Sequence, residues 1–306
     1  MLAVKTLRSE LNIFRRTVRL MGNQFEISVV AENPLWAEER ITSAINEISR
    51  IEKLLSAFSD DSIINQINGN AGIQPVKVNA EIFRLIERSI QVSELTYGAF
   101  DITYFSGDKN NNDSIAPVTG QSNYKNIILD AKEITVFLKE KGMRLSFAAN
   151  SKGYAADRAK YILQTEGVSS GVINAGGDLL AWGLQPGNEP WTIGAADPDR
   201  QDQPFANVDI SNMCFATSVN TDSYAVISDK KYTSVLNVKK GFPVSAIKSA
   251  SILSPTAELA DAMATPIITI GVNAGLYLIN QLNQIACLII DDQNRIYTSK
   301  GIQLAD

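Results

Sequence analysis

The stretch ELADAMATP, residues 258–266, has the pattern of a helix built mostly from small side chains. Asp261 and Thr265 are four residues apart, so a helix places both on the same side. The surrounding alanines indicate that another segment packs very close to this helix; they stand at positions 257, 260, 262 and 264. We expect the helix to begin near Thr256 and to end at Pro266.

A carboxylate enclosed by such packing needs a partner, because burying an unpaired charge is costly. Asp261 and Thr265 could together present oxygen ligands to a hard cation such as Mg²⁺ or Ca²⁺. Both could equally hydrogen-bond to a neighbouring loop without any metal. The residues by themselves leave this choice open.

The composition excludes several classes of protein and of site. The 306 residues are 45% hydrophobic and 20% charged, which is typical of a globular chain. A net charge of −5 offers no basic surface for a phosphate backbone, which argues against nucleic-acid binding. The chain has no histidine, so Ser-His and Cys-His nucleophile pairs and imidazole metal sites are ruled out. Any metal site must therefore use oxygen ligands.

Targeting signals are absent from the pattern of this sequence. No stretch approaches the roughly 18 uninterrupted apolar residues of a membrane span. The basic N-terminus, MLAVKTLRSELNIFRRTVRL, lacks the apolar core and the cleavage site of a signal peptide. We therefore expect no transmembrane segment, and the cellular compartment stays open.

Hydrophobic periodicity predicts the elements of the first half. FEISVV, residues 25–30, alternates as a strand does. Apolar residues at three- and four-residue steps predict amphipathic helices after Pro34 and from about Ala80 to Tyr97, the second ended by Gly98. Residues 106–123 have the composition of a long surface loop, and NIILD with EITVFL predicts a hairpin.

The second half mixes strands and helices. A helix from about Gly153 to Glu166 should lead to the strand GVINAGG, after which LLAWG and WTIGAA continue a sheet. DPDRQDQP, residues 197–204, reads as an exposed loop. SASILS and IACLII predict two late strands, with the ELADAMATP helix and a second helix from about Asn273 to Gln284 between them. Because strands and helices do not alternate strictly, we expect an α+β fold.

Two motifs could bind an anion or a ligand backbone. NAGGD follows a strand, and Gly176 and Gly177 would let a ligand approach the main chain, although a tight turn explains them as well. SKGYAAD places Lys152 just ahead of a helix, where free N–H groups attract phosphate. An ordinary N-cap with a solvated lysine explains that motif equally well.

A third motif, YGAFDIT, sets Phe100 directly beside Asp101. The pair could hold a flat heterocycle, by stacking on the ring and by hydrogen bonding to the carboxylate. A core phenylalanine followed by a turn aspartate is the alternative, and these seven residues by themselves favour it.

The order of the motifs is more specific than any one of them. The succession MGNQFEI, LLSAFSDDSIINQIN, YGAFDIT, SKGYAADRA, GVINAGGDLLAWG, ATSVNTDSY, GFPV and SPTAELADAMAT resembles the ApbE family, the FAD:protein FMN transferases. The resemblance begins at about Met21 and runs to the end of the chain. It implies an N-terminal extension over residues 1–20 and one domain over residues 21–306.

The resemblance implies an α+β fold with an FAD cleft and with Mg²⁺ beside the pyrophosphate. Members transfer FMN from FAD to a threonine or serine hydroxyl of a partner flavoprotein and release AMP. Some relatives instead hydrolyse FAD to FMN and AMP. Both reactions are phosphoryl transfers, in which positioning and charge neutralisation supply most of the rate. The family is usually periplasmic or membrane-anchored.

The resemblance also implies the site residues. The adenine and ribose end of FAD would be lined by Met21, Phe58, Ala99, Phe100 and Asp101. The other cofactor-binding positions would be Ser146, Lys152, Asn174, Gly176, Gly177, Asp178 and Val235. The metal would take the Asp261 carboxylate, the Thr265 hydroxyl and a carbonyl near Ala149, with Ala264 adjacent. Asp261 and Thr265 are thereby the expected catalytic residues.

Several positions depart from the family pattern. Ser146 stands where the family has a carboxylate, and Ala148 and Val219 stand where it has glycine. Ser234 replaces the characteristic histidine. If that histidine activates the acceptor hydroxyl, its loss removes a general base, which commonly contributes about 10²–10⁴-fold.

These observations lead to one expectation and two kinds of alternative. We expect a Mg²⁺-dependent FMN transferase whose chemistry is weakened by Ser234. The first alternative is an FAD pyrophosphatase. The second is a paralogue without activity, which either binds FAD or another nucleotide or serves a protein partner through its surface.

Overall fold

The computed structural model describes residues 10–56, 62–103, 123–197, 200–220, 225–227, 230–232 and 247–302. The helices in these ranges are α1 (Pro34–Leu55), α2 (Ile63–Gly69), α3 (Ala80–Leu95), α4 (Ser151–Thr165), α5 (Ala257–Ile270) and α6 (Val272–Ile279). The strands are β1 (Asn12–Leu20), β2 (Asn23–Ala31), β3 (Val76–Lys77), β4 (Ile127–Asp130), β5 (Thr135–Leu138), β6 (Gly171–Ala175), β7 (Asp178–Trp182), β8 (Thr192–Asp197), β9 (Arg200–Asp209), β10 (Cys214–Val219), β11 (Ala225–Ile227), β12 (Lys230–Tyr232), β13 (Ile247–Ser254), β14 (Ala286–Asp291) and β15 (Ile296–Thr298).

Eight strands form the main sheet, in the order β1-β2-β6-β7-β10-β13-β14-β15. Every pairing in it is antiparallel, and β1 is an edge strand paired along its length with β2. A three-stranded sheet (β3-β5-β4) and two hairpins (β8-β9 and β11-β12) complete the strands within the described residues. Antiparallel sheets mixed with helices confirm the predicted α+β class.

Helices α1, α4 and α5 cover the main sheet. Helix α1 packs on β2, α4 on β6, and α5 on β10 and β13. The periodicity that predicted α1 corresponds to its buried side, which consists of Ala37, Ile41, Ala44, Ile48, Ile51 and Leu55. Its start is also encoded locally, because the Asn33 side chain accepts a hydrogen bond from the Trp36 N–H and Pro34 occupies the first turn.

Helices α4 and α5 approach each other closely enough for their backbones to touch. A Cβ atom on Gly153 would lie 2.2 Å from the carbonyl oxygen of Ala257. The Asp157 carboxylate of α4 accepts hydrogen bonds from the N–H groups of Ala257 (2.9 Å) and Glu258 (2.8 Å), so it caps the start of α5. Thr256 is the N-cap residue, but its side chain makes no capping hydrogen bond. Burial raises the pKa of Asp157 to about 6.

The predicted ends of two helices are wrong. Helix α5 does not end at Pro266 but continues through it to Ile270, and it ends before Gly271, where φ is +91°. Pro266 lacks the N–H of a helical residue, yet its neighbours Met263, Ile267 and Ile268 are fully buried. The packing of this apolar segment outweighs the roughly 3 kcal/mol that a proline costs inside a helix. The next helix, α6, ends at Ile279 rather than near Gln284.

The predicted loop at residues 197–204 is largely strand. Strand β9 begins at Arg200 and pairs with β8, so the connection is confined to the two intervening positions. Pro204 pairs with Ala196 where the register shifts, and such irregularities are the places where a strand accepts proline. The WTIGAA strand, β8, belongs to this hairpin and not to the main sheet.

Some sequence predictions fall beyond these elements. The loop predicted at residues 106–123 lies outside the described residues except for Asn123. Residues 12–20, placed by the resemblance in an N-terminal extension, form β1 of the main sheet. The domain boundary at residue 21 stays a prediction. Within the described ranges, no helix combines the length and the hydropathy that crossing a membrane requires.

Replacing Gly153 with alanine tests the contact between α4 and α5. The new methyl group would meet backbone atoms of Ala257 and Glu258 at 2.2–2.9 Å, so the two helices would have to separate. We expect Gly153→Ala to lower the free energy of unfolding by about 3 kcal/mol in urea titrations. Gly69→Ala is the control, since nothing lies within 4 Å of that position. Equal stability of the two variants would contradict the contact.

Candidate active site

A cleft of about 200 Å³ lies where four parts of the fold meet. They are the β6–β7 turn, the end of β10, the start of α4 with the residues before it, and the middle of α5. We call this the first cleft, and it is lined by Ala148, Ala149, Lys152, Gly176, Asp178, Thr217, Ser218, Asp261, Ala264 and Thr265. The structure thus brings together predicted site residues from three separate stretches of the sequence, 149–152, 176–178 and 261–265.

Lys152 lies between two carboxylates in the first cleft. Its Nζ is 3.2 Å from Asp178 Oδ2 and 3.4 Å from Asp261 Oδ1. The second oxygen of each carboxylate accepts a backbone hydrogen bond, from the Thr217 N–H to Asp178 (3.2 Å) and from the Gly153 N–H to Asp261 (3.1 Å). All three charged groups are therefore held in place from two sides.

The charges of this group do not balance. Burial raises the pKa of Asp261 to about 6, although Lys152 acts in the opposite direction. Burial also raises the pKa of Asp178, again against the influence of Lys152. For Lys152 burial alone would lower the pKa, but Asp261 and Asp178 raise it above its usual value. The ammonium stays charged, and two largely buried carboxylates share it.

Strand pairing explains where Asp178 points. Strands β7 and β10 pair at Leu179↔Phe215 and Leu180↔Cys214, and the Asp178 side chain then takes the N–H of Thr217. The carboxylate thus accepts a strand N–H that would otherwise pair with a backbone carbonyl, at the point where the two strands separate. This separation opens the cleft.

The NAGGD motif forms a two-residue hairpin turn between β6 and β7. Gly176 and Gly177 both have positive φ, +71° and +108°, as the tightest hairpin turns require. The Asn174 side chain accepts a hydrogen bond from the Gly177 N–H at 2.8 Å and fixes the turn. A Cβ on Gly176 would lie 3.1–3.3 Å from Asn23 atoms, so glycine also permits close contact with the β1–β2 turn.

Two hydroxyl residues of β10 complete the cleft, and sequence reasoning did not select them. Ser218 Oγ lies 2.9 Å from Thr265 Oγ1, and Thr217 Oγ1 lies 2.8 Å from Ser251 Oγ. Both belong to the ATSV motif, in which the sequence singled out only Val219, as a departure from the family pattern. The available signal was two hydroxyl residues next to each other in a strand. Only the pairing of β10 with β7 places them beside Asp178.

The residues predicted for the adenine end lie in two groups. Met21 is in the β1–β2 turn, where its carbonyl accepts a hydrogen bond from Asn23 at 2.9 Å. Ala99 and Phe100 are buried, and Phe100 belongs to the main core. The Asp101 carboxylate accepts hydrogen bonds from the Thr103 N–H and hydroxyl and from the Tyr124 N–H, as a turn aspartate does.

Ser146 connects this region to the cleft. Its N–H donates to the carbonyl of Ile102 at 2.8 Å, and Ala148, two residues later, lines the cleft. Phe58, Ser234 and Val235 lie outside the described residues. A cofactor role for the adenine-end residues remains a prediction.

The cleft was also predicted to hold a metal. Within the described residues, no three acidic, cysteine or histidine side chains converge as a ready-made metal centre. Asp261, Thr265 and Ala149 nevertheless line one small cleft, and each carries an oxygen donor of the kind that suits Mg²⁺. The excess of carboxylate over ammonium in the same cleft also favours a cation. The residues present therefore fit the expected ion.

Comparisons with known proteins identify the family of this chain. The model of the ApbE family matches residues 21–289. The chain is similar to the FAD:protein FMN transferase of Treponema pallidum, with 25% identity over 96% of this chain and 89% of that protein. It is also similar to one from Klebsiella pneumoniae, with 24% identity over 83% of this chain and 77% of that protein.

Solved structures show the same fold. The ApbE protein of Thermotoga maritima superposes with a TM-score of 0.83 at 25% identity, covering 94% of this chain and 97% of that one. The flavin transferase ApbE of Vibrio cholerae superposes with a TM-score of 0.80 at 18% identity, covering 95% and 98%. The predicted family and the α+β fold are confirmed.

The raised pKa of Asp261 makes a prediction about stability. Folding raises this pKa from 3.8 to about 6, so the native state binds the extra proton more tightly. The contribution of Asp261 to stability is therefore greatest below about pH 4 and is lost as the pH rises through about 6. An asparagine does not titrate, so the stability of Asp261→Asn relative to the wild type should rise by about 3 kcal/mol as the pH rises from below about 4 to above about 7.

Urea titrations across this pH range measure the difference. Asp292→Asn is the control, because that side chain is exposed. It should follow the wild type at every pH. A stability difference between Asp261→Asn and the wild type that does not change with pH would contradict the burial of this carboxylate.

Proposed function

This chain belongs to the ApbE family, and on that premise we propose that it transfers FMN from FAD to a threonine or serine hydroxyl of a partner flavoprotein in a Mg²⁺-dependent reaction. The pyrophosphate bond of FAD breaks, a phosphate ester to the protein hydroxyl forms, the hydroxyl loses its proton and AMP leaves. The observation that carries the proposal is the group formed by Lys152, Asp178 and Asp261 in a cleft that also holds the Thr265 hydroxyl.

The residues of the first cleft suit a pyrophosphate together with a cation. Asp261, Thr265 and the Ala149 carbonyl would hold Mg²⁺. When bound, Mg²⁺ would neutralise charge on the pyrophosphate and polarise its oxygens. Lys152 would donate a hydrogen bond to a phosphate oxygen. Gly176, which has no side chain, and Ala264, which has a small one, would leave room for the phosphate to approach.

Asp178 has a separate role in this proposal. It is the carboxylate of the cleft that is not assigned to the metal, and it contacts Lys152 and the Thr217 N–H. We assign it to positioning the ammonium. The acceptor hydroxyl would then approach from the open side of the cleft, where Thr265 is exposed.

A second candidate is an FAD-binding protein with little or no transfer activity. The Ala148 side chain lines the first cleft, and Val219, at the end of β10, is 44% exposed. Both stand where the family resemblance expects glycine, so their methyl groups would take space that the family leaves for the cofactor. Ser234 in place of the family histidine also favours this candidate.

One experiment separates these functions. The protein is incubated with FAD, Mg²⁺ and a panel of flavoprotein domains that present a threonine or serine acceptor. Intact mass reports covalent FMN, and chromatography reports AMP and free FMN. An adduct with matching AMP supports the transferase, whereas AMP with free FMN alone identifies a pyrophosphatase. FAD binding without either product identifies the second candidate.

Within this assay we expect Asp261→Ala to lower the rate of adduct formation by about 100-fold or more, because the strongest oxygen ligand is removed. Asp292→Ala, an exposed carboxylate, is the control and should retain the wild-type rate. A wild-type rate for Asp261→Ala would exclude the proposed role of this cleft.

Removing the ammonium should alter metal binding as well as FAD binding. Lys152 and a divalent cation would share the carboxylate of Asp261, so we expect Lys152→Met to bind Mn²⁺ about tenfold more tightly in the absence of FAD. The same variant should bind FAD more weakly. Calorimetric titration with Mn²⁺ and then with FAD measures both, and Lys132→Met, an exposed lysine, is the control. Unchanged Mn²⁺ affinity would contradict the shared site.

A further inference from the structure

A second, larger cleft lies between α3, α4 and the first half of α5. Its volume is about 720 Å³, within the range of pockets that hold small molecules. Its lining shares no residue with the first cleft. Leu259 and Ala262 of α5 face the second cleft, whereas Asp261 and Thr265 of the same helix face the first.

The walls of the second cleft are largely apolar. Val92 and Leu95 contribute from α3, Leu259 and Ala262 from α5, and the ring of Tyr154 from α4. Val92, Leu95 and Leu259 are only partly buried, so they keep apolar surface in contact with solvent. Covering this apolar surface with a ligand is favourable, because the surface is then removed from water.

The charged groups of the second cleft are mostly satisfied within the protein. The Arg88 guanidinium binds Glu258 through two nitrogens, with Nε at 2.9 Å from one carboxylate oxygen and Nη2 at 2.8 Å from the other. The Asp157 carboxylate accepts the two N–H groups that begin α5. Neither acidic group is therefore free to receive a cationic ligand.

Lys160 differs from these groups. It lines the second cleft and is partly buried, and it makes no ion pair or hydrogen bond with any residue that the structure describes. Burial lowers its pKa, and the charge of Asp157 only opposes that effect. Asp157, which also lines the cleft, is the opposite charge that acts on Lys160, but its carboxylate contacts the N–H groups at the start of α5. The Lys160 ammonium therefore stands beside an apolar wall without a direct partner among the described residues.

We propose that the second cleft binds an amphipathic carboxylate, with the carboxylate on Lys160 and an aliphatic or aromatic body on the walls formed by Val92, Leu95 and Leu259. The ammonium of Lys160 favours a negatively charged ligand, and the apolar walls favour a ligand with an apolar body. A neutral apolar ligand would leave the ammonium unpaired, and a cationic one would be repelled by it. The proposal does not depend on flavin transfer, because the two clefts have separate linings.

The test uses the whole chain and two kinds of titration. Fluorescence of 8-anilinonaphthalene-1-sulfonate reports an apolar anion in the cleft, and calorimetry measures decanoate directly. Decanol and decyltrimethylammonium have the same chain length with no charge and with the opposite charge. We expect decanoate to bind at one saturable site and to displace the probe. Decanol should bind about tenfold more weakly, and the cation should not compete.

Two variants locate the site. Lys160→Met keeps the length of the side chain without its charge, and it should weaken decanoate binding about tenfold. Val92→Asp places a negative charge on the apolar wall and should weaken it further. Lys132→Met, an exposed lysine in the β4–β5 turn, should bind decanoate as the wild type does. Thermal unfolding and FAD affinity verify that each variant is folded, and Lys160→Gln replaces Lys160→Met if that variant is not.

Four results would overturn the proposal. They are no saturable decanoate binding, equal binding by Lys160→Met and the wild type, equal binding of decanoate and decyltrimethylammonium, and displacement of decanoate by FAD. The last would assign the ligand to the first cleft. Probe binding that increases on dilution of the protein would show instead that a second copy of the chain covers this surface.

Discussion

The contact between the first turn of α4 and the start of α5 is the constraint on which the site depends. Because residue 153 is glycine, the backbone of Ala257 can lie where a side chain would otherwise be. This approach lets Asp157 cap α5 and lets the Gly153 N–H reach Asp261. The same approach brings Lys152 to Asp261. A larger residue at position 153 would separate the groups that form the first cleft.

The charged groups of the first cleft destabilise the protein when no ligand is bound. Two largely buried carboxylates share one ammonium, and burial raises the pKa of both Asp178 and Asp261. Such groups are kept at a cost in stability, which is common where a protein binds a ligand of complementary charge. By contrast, acidic and basic residues balance in the group that joins α1, α3 and α4, which consists of Glu47, Glu81, Arg50 and Arg158.

Sequence patterns over a few neighbouring residues were enough to predict several helices and turns. The periodic apolar residues of α1 and α3 and the paired glycines of the β6–β7 turn were sufficient, because each acts over a few neighbouring residues. Predictions from such patterns were wrong at Pro266, where a buried apolar helix continues through a proline. They were also wrong at residues 200–204, where pairing with β8 turns a polar, proline-containing stretch into strand. Both errors arise where long-range packing outweighs a local preference.

The sequence by itself determined the family, the α+β class and most of the residue types in the first cleft, including the i, i+4 spacing of Asp261 and Thr265. Only the tertiary structure decided that Lys152 lies between Asp178 and Asp261, which are 26 and 109 positions away along the chain. It also decided that Thr217 and Ser218 belong to the cleft and that Asp157 caps a helix 100 residues later. Helix and strand periodicity relate residues up to about four apart, whereas these contacts exist because a sheet and two helices pack in one particular arrangement.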